Sequence, residues 1–302
     1  MRKHLVSGAQ LILVLLLAGC SLSPLARHTA DFSSATALVV DNSENAFRAA
    51  VRLNDQAQAS MLVARYDTQP IDPHSLKHLI DAKGLTTRTE VLDGLRTYAQ
   101  SITDLASGVS SQSLDDAATA VGGNLIQLGS AVSAATPIGM EISPQQANAA
   151  GTALKALGEF LVSRKIRNSV PKTIQEMDPH VDAICKLLVS DIGILRNQAG
   201  MDYEQLLMQQ DSFIRHAGKD LAPTERRAEI QRLPRILANK QATDDMLGDL
   251  EMSVKELALA HHALAAAAGR KDAQSLTARL AELRATESRL AHYYYSLPVE
   301  TN

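Results

Sequence analysis

Apolar residues recur at steps of three and four from Asp31 onward, the period of an α-helix with one buried face. Leu38, Phe47, Val51, Met61 and Leu62 predict a long first helix that ends before Gln69-Pro70-Ile71-Asp72-Pro73. A second helical region runs from His74 to Ser107, interrupted near Gly84, with Val91, Leu92, Leu95, Tyr98, Ile102 and Leu105 as its stripe. Gly108 to Ser113 is a break. Ser113 is the expected cap of the next helix, with Asp115 and Asp116 in its first turn.

The last third carries the longest seams. Pro171 and Pro179 mark expected helix starts, and from Val181 the positions Ile184, Leu188, Ile192, Leu195, Ala199, Leu206 and Phe213 continue one seam. Gly218 and Pro223 separate it from a helix that carries Pro234, where a bend is expected. In that helix Leu247, Leu250, Val254, Leu257, His261, Leu264 and Ala268 alternate steps of three and four, a heptad seam. After Gly269, Leu276, Leu280, Leu283, Leu290 and Leu297 form the seam of a returning helix. The pattern predicts an all-α fold: an elongated antiparallel helical bundle with long, coiled-coil-like helices.

Residues 114–168 differ from the rest, with no charge between Asp116 and Glu141. They read as two helices, about Leu114–Ala134 and Pro144–Asn168, joined around Pro137 and Gly139. Gly122 and Gly129 are seven apart, as are Gly151 and Gly158. Seven residues are nearly two turns, so each pair shares a helix face. A hairpin centred on Met140 sets Gly122 opposite Gly158 and Gly129 opposite Gly151. Glycine costs a helix roughly 1 kcal/mol relative to alanine, so this register suggests close backbone contact.

Composition supports helix-on-helix packing. Hydrophobic residues make up 45% of 302, but aromatics only 3%, with no Trp. A core of Ala, Leu, Val and Ile suits helices better than sheets. The net charge is −3, and removing residues 1–19, which hold Arg2 and Lys3 but no acid, takes it to −5. That balance gives no reason to expect nucleic acid or an anionic surface as partner. The two cysteines, Cys20 and Cys185, do not make a disulfide framework.

The N-terminus has the parts of an export signal: Arg2, Lys3 and His4, then the apolar run Leu11 to Leu17, then Ala18-Gly19 before Cys20. The run is shorter than the about 20 residues a permanent span needs. Leu15-Leu16-Leu17-Ala18-Gly19-Cys20 resembles the lipobox of bacterial lipoproteins. The resemblance covers only the first 21 residues. It implies cleavage before Cys20, a lipid such as palmitate on that residue, and a body held at a membrane. Ser21 resembles the outer-membrane pattern of such proteins in two-membrane bacteria, which implies a periplasm-facing location. On this reading 1–19 is the signal, 20–30 the lipidated cysteine and tether, and 31–302 the helical domain. Residues 31–168 and 171–302 could form sub-bundles within it.

Candidates for chemistry are few. His74 and His78 are one turn apart with Asp81 a further turn on, the spacing of a metal pair on one helix face. The simpler reading is a solvated helix start after Pro73. His261 interrupts an apolar seam as a register-fixing or titratable group, and Glu287 breaks the following seam. Both are polar seam positions, but the hairpin register puts Glu287 nearer Val254 than His261, so they are not expected to pair directly. Cys185, beside Ile184, reads as a buried thiol. Tyr293-Tyr294-Tyr295 points three ways round a helix, so one ring is a candidate interface group or an aromatic bundle end. Glu-x-x-His, G-x-S-x-G, the phosphate-cradling glycine loop and H-E-x-x-H are all missing from the sequence.

The expectation is a non-catalytic envelope lipoprotein without a cofactor, a structural or adaptor protein that binds another envelope protein. Self-association through an exposed seam is compatible with it. The alternatives are a membrane-active or toxin-neutralising lipoprotein that uses 114–168, and a metal-binding protein that uses His74 and His78.

Overall fold

The computed structural model describes residues 23–65, 79–109, 112–132, 144–163, 169–268 and 273–296. Among the described residues the protein is an all-α bundle of long helices without strands. The helices are α1 Pro24–Arg65, α2 Ala82–Ser107, α3 Gln112–Val132 and α4 Pro144–Ser163, then α5 Val170–Ala217, α6 Pro223–Ala268 and α7 Ala273–Ser296.

α1 begins earlier than the pattern predicts. Ser23 accepts the Ala26 N–H at 3.1 Å, the capping bond of a helix N-terminus, and Pro24 occupies the first helical position. Ala26 and Thr29 are already buried, so much of the stretch read as a tether belongs to the body. α2 begins after a break that includes Leu79 and Ile80, and Asp81 is its cap, accepting from Gly84 N–H at 2.6 Å. It ends at Gly108, whose φ of 68° is the left-handed conformation that glycine supplies without strain. α3 starts at Gln112, which places Ser113 inside the first turn and not at the cap.

Pro179 lies within α5, not at a helix start. Proline removes one intrahelical bond. Here the ring is exposed while Ile174, Met177 and Val181 on either side are buried, so packing carries the helix through. α5 therefore has 48 residues, about 72 Å at 1.5 Å per residue. α6 likewise stays helical through Pro234. Leu38 and Phe213, expected in the core, are 41% and 44% exposed.

α5 and α6 pack together as the central hairpin. α1 lies against α2, α5, α6 and α7, and α4 joins the α3 hairpin to α5. Residues from both 31–168 and 171–302 contribute to one hydrophobic cluster, which includes Phe47, Tyr98 and Leu157 with Ile192, Val254 and Leu283.

Three buried polar pairings sit at intervals along α5. At the first level Asp178 meets His261. At the second, Arg88 donates to both carboxylate oxygens of Asp191 at 2.5 and 2.6 Å, with its guanidinium 5.7 Å from the Phe47 ring. At the third, Asn54 donates to Asp202 at 3.1 Å and accepts the Leu79 N–H at 3.0 Å. Burial pushes the Asp202 carboxyl up, against the hydrogen bonds from Gln198 and Asn54. Such pairings fix register, because a slipped helix leaves a buried polar group without a partner. They also set direction. Phe32 stacks at the His261 level and Asn54 lies at the Asp202 level, so α1 runs parallel to α5.

Candidate functional site

The most organised cluster of titratable groups centres on His261. The heptad seam of α6 turns this residue inward, and it is fully buried. Tyr98, from the apolar stripe of α2, places its hydroxyl 2.7 Å from His261 Nε2. Asp178 of α5 places one carboxylate oxygen 2.9 Å from His261 Nδ1 and the other 2.7 Å from Nδ1 of His262. His262 is on the solvent side of α6, 75% exposed. The result is a four-residue chain, Tyr98–His261–Asp178–His262, running from the core to the surface.

The partners fix the proton positions. An ionised carboxylate only accepts, so Nδ1–H of each histidine donates to Asp178, and His261 Nε2 accepts from the Tyr98 hydroxyl. Burial pushes His261 below its ordinary value, with Asp178 opposing that shift. Burial raises the Asp178 carboxyl, but its hydrogen bonds to His261 and His262 outweigh this and hold it below the usual range. A neutral His261 beside an ionised Asp178 is thus self-consistent.

A carboxylate-oriented imidazole is also the arrangement of a general base. Here its free nitrogen is closed. Tyr98 occupies Nε2, and Phe32 and His261 meet edge-on with ring centroids 5.4 Å apart. Phe160 packs on Tyr98 at 5.3 Å, and both Tyr98 and His261 are buried. No substrate atom reaches Nε2 in this arrangement. The chain joins α2, α5 and α6 and leads one polar path to solvent.

Sequence spacing could not reveal this set, because Asp178 is 83 residues and Tyr98 163 residues from His261. Glu287 lies on α7, but its side chain is outside the described residues, as are those of Tyr293, Tyr294 and Tyr295. His74, His78 and Cys20 also lie outside the described residues. Asp81 is engaged as the α2 cap, and Leu79 and Ile80 before it are not helical, so it does not continue a helix from His78. Among the described residues no group of three or more His, Cys, Asp or Glu could hold a metal ion. Cys185 is buried, and burial pushes its thiol up to about 12, which keeps it protonated.

The α3–α4 hairpin brings its glycines together. A Cβ on Gly122 meets the Gly158 carbonyl oxygen at 2.7 Å, and one on Gly129 meets that of Gly151 at 2.6 Å. These are helix-packing contacts. No helix among the described residues is long and apolar enough to cross a membrane.

The other feature of note is the far end of the α5–α6 hairpin. From Leu207 to Asp245 only Gly218 is buried. The two helices are held there by polar contacts: Tyr203 with Thr243 at 3.0 Å, Gln210 with Glu229 at 2.9 Å, and Lys240 with Glu204. Arg226 closes the turn by donating to the carbonyls of Lys219 and Leu221. Comparison with family models, curated proteins and solved structures finds no match to this chain.

Proposed function

We propose that this protein is a lipid-anchored envelope adaptor whose α5–α6 arm binds another envelope protein. The observation that carries the reading is the arm itself: nearly 40 residues of paired helix that contribute almost nothing to the core. Side chains such as Phe213 and Arg227 there are left to solvent. Conservation of one's own core does not require such an extension, whereas presentation of a binding surface does.

The direction of α1 adds a second support. Cys20 lies four residues before Pro24, so a lipid on it stays within about 14 Å of the α1 start. That start is at the His261 end of the bundle. The arm turn at Gly218 is 40 residues of α5 beyond Asp178, about 60 Å away. An anchor at one end and an exposed arm at the other suits a protein that reaches from a membrane toward a partner. Export and acylation follow from the lipobox resemblance, and outer-membrane placement from Ser21.

The test uses the full chain in its native envelope. Wild type is expected to be acylated, to fractionate with membranes, and to co-purify with a distinct protein. Cys20→Ser should lose the acyl group and the membrane association. Phe213→Asp with Arg227→Glu should keep both and lose the partner. A wild-type chain that carries no lipid, or that purifies alone with a metal or small ligand aboard, would sink the proposal.

A further inference from the structure

The α5–α6 hairpin has an outer face that nothing among the described residues covers. On α5, Ile194, Met201 and Met208 recur every seven residues and are 36%, 59% and 65% exposed; Leu187, one step earlier, is half-buried against the edge of the core. Gly193 and Gly200, also seven apart, lie on the same side, and a Cβ added at either meets nothing within 4 Å. Glycine inside a helix costs stability. In the α3–α4 hairpin that cost accompanies a close helix contact, but on α5 the glycines face open space.

α6 extends this face. Arg196 of α5 donates to Asp244 at 2.6 and 2.7 Å and lies over Gly248, which marks the outer edge of the hairpin. Helical spacing from Gly248 places Ile230, Leu237, Met252 and Leu259 on that same outer side. All four are exposed. Seven of the twelve large apolar side chains exposed among the described residues therefore share one face, whereas scattered single exposures are the ordinary case.

We infer that this face binds a second copy of the chain, with the two α5 helices antiparallel about a two-fold axis through Asn197. In that register the α5 pattern is complementary to itself. About Asn197, Gly193 falls within one residue of Gly200 of the second copy, Ile194 within one of Met201, and Leu187 within one of Met208. Every contact is then made twice, the mark of an isologous interface. This repeats between copies the antiparallel glycine register that α3 and α4 make within the chain. Charges agree with it. Lys186 comes within a turn of Asp211 of the second copy, and Asp182 within a turn of its Arg215. Near the axis Glu204 meets Ser190, and no two acids are apposed. From Asp182 to Arg215 the strip is about 50 Å long and about 12 Å wide. Two such strips bury about 1,200 Å², the lower bound for a specific dimer.

The test is sedimentation equilibrium of the full chain in density-matched detergent, with two variants. Wild type at tens of micromolar is expected at twice the monomer mass. Gly200→Leu, whose side chain enters open space in the monomer, is expected to keep its helicity and melting temperature and to sediment as a monomer. Asn197→Cys places a thiol on the axis and is expected to form a disulfide-linked dimer under mild oxidation, while Gln231→Cys does not. A monomeric wild type overturns the inference, and so does an unchanged mass for a folded Gly200→Leu. An Asn197→Cys chain that stays reduced also overturns it, as does a monomer whose outer face is occupied by a different protein. Failure of the dimer leaves acylation at Cys20 untouched, and the partner of the arm is judged separately by the Phe213→Asp, Arg227→Glu variant.

Discussion

At the residue scale, the fold depends on a few buried polar groups whose loss is costly because each strands another. Replacing Arg88 with alanine leaves Asp191 buried and unpaired. Truncating one side of a buried ion pair costs about 3–5 kcal/mol, and a urea titration of Arg88→Ala should show a loss of that order. His261→Leu should cost about 2–4 kcal/mol, from the lost hydrogen bonds to Tyr98 and Asp178 and the imperfect fit of the new side chain. If either variant unfolds at the wild-type midpoint, the polar levels do not hold the helices in register.

The same residue predicts a pH dependence. Burial holds folded His261 below its ordinary 6.5, so the unfolded chain takes up the proton first as pH falls. The contribution of neutral His261 is therefore complete above about pH 6.5 and is lost progressively below it. Asp178, also held low, extends the loss as pH falls below 3.8. Asp202 has the opposite sign, since its raised value gives stability that is present below 3.8 and lost as pH rises through its folded value. Of these three groups only His261 has its ordinary value between pH 5 and pH 8. The urea midpoint should fall over that range in wild type and fall less in His261→Gln. Equal falls in both proteins would show that another group controls the acid side.

At the level of elements, the α3–α4 hairpin offers a contrast between glycines on one helix. A Cβ on Gly122 would sit 2.7 Å from the Gly158 carbonyl, backbone that cannot move aside without separating the helices. Gly122→Ala should therefore destabilise by about 1–3 kcal/mol despite its gain in helix propensity. Gly123 has nothing within 4 Å, so Gly123→Ala should stabilise by about 0.5–1 kcal/mol. Thermal melts of the two variants moving in the same direction would contradict the close-contact assignment.

The elements also show what periodicity can and cannot say. The seam of α6, from Leu247 to Leu264, and that of α7 at Leu276, Leu280, Leu283 and Leu290 are buried. The seven-residue glycine spacing contained the register of α3 against α4. Ends were harder to read. Pro179 looks like a helix start because proline lacks an N–H, yet long-range packing of Met177 and Val181 decides the matter. Ser23-Pro24 is a helix start that looked like part of a tether. Phe213 continues the α5 period beyond the point where neighbouring helices stop covering it. The partners of His261 were illegible for a different reason, since nothing local to α6 records which residues of α2 and α5 will meet it.

For the whole molecule, one core spans both parts of the chain, and the long α5–α6 hairpin continues past it. That arrangement makes the two ends unlike. The His261 end holds the start of α1 and hence the approach to Cys20, and the other end is the exposed arm. Hydrogen exchange should follow this division. Amides of the arm tip from His216 to Glu229, beyond the strip that a second copy covers, are expected to exchange well before those around Leu188, Ile192, Leu250 and Val254, because few buried contacts oppose local opening there. Uniform protection along α5 would mean that the arm is covered in solution.

An adaptor that reaches from a membrane needs its anchor, so the most direct measurement is the intact mass of the protein extracted from its native membrane. The account predicts a chain that begins at Cys20 and carries additional acyl mass on that residue, with residues 1–19 removed. A chain that still begins at Met1, or one cut elsewhere with Cys20 unmodified, would contradict it.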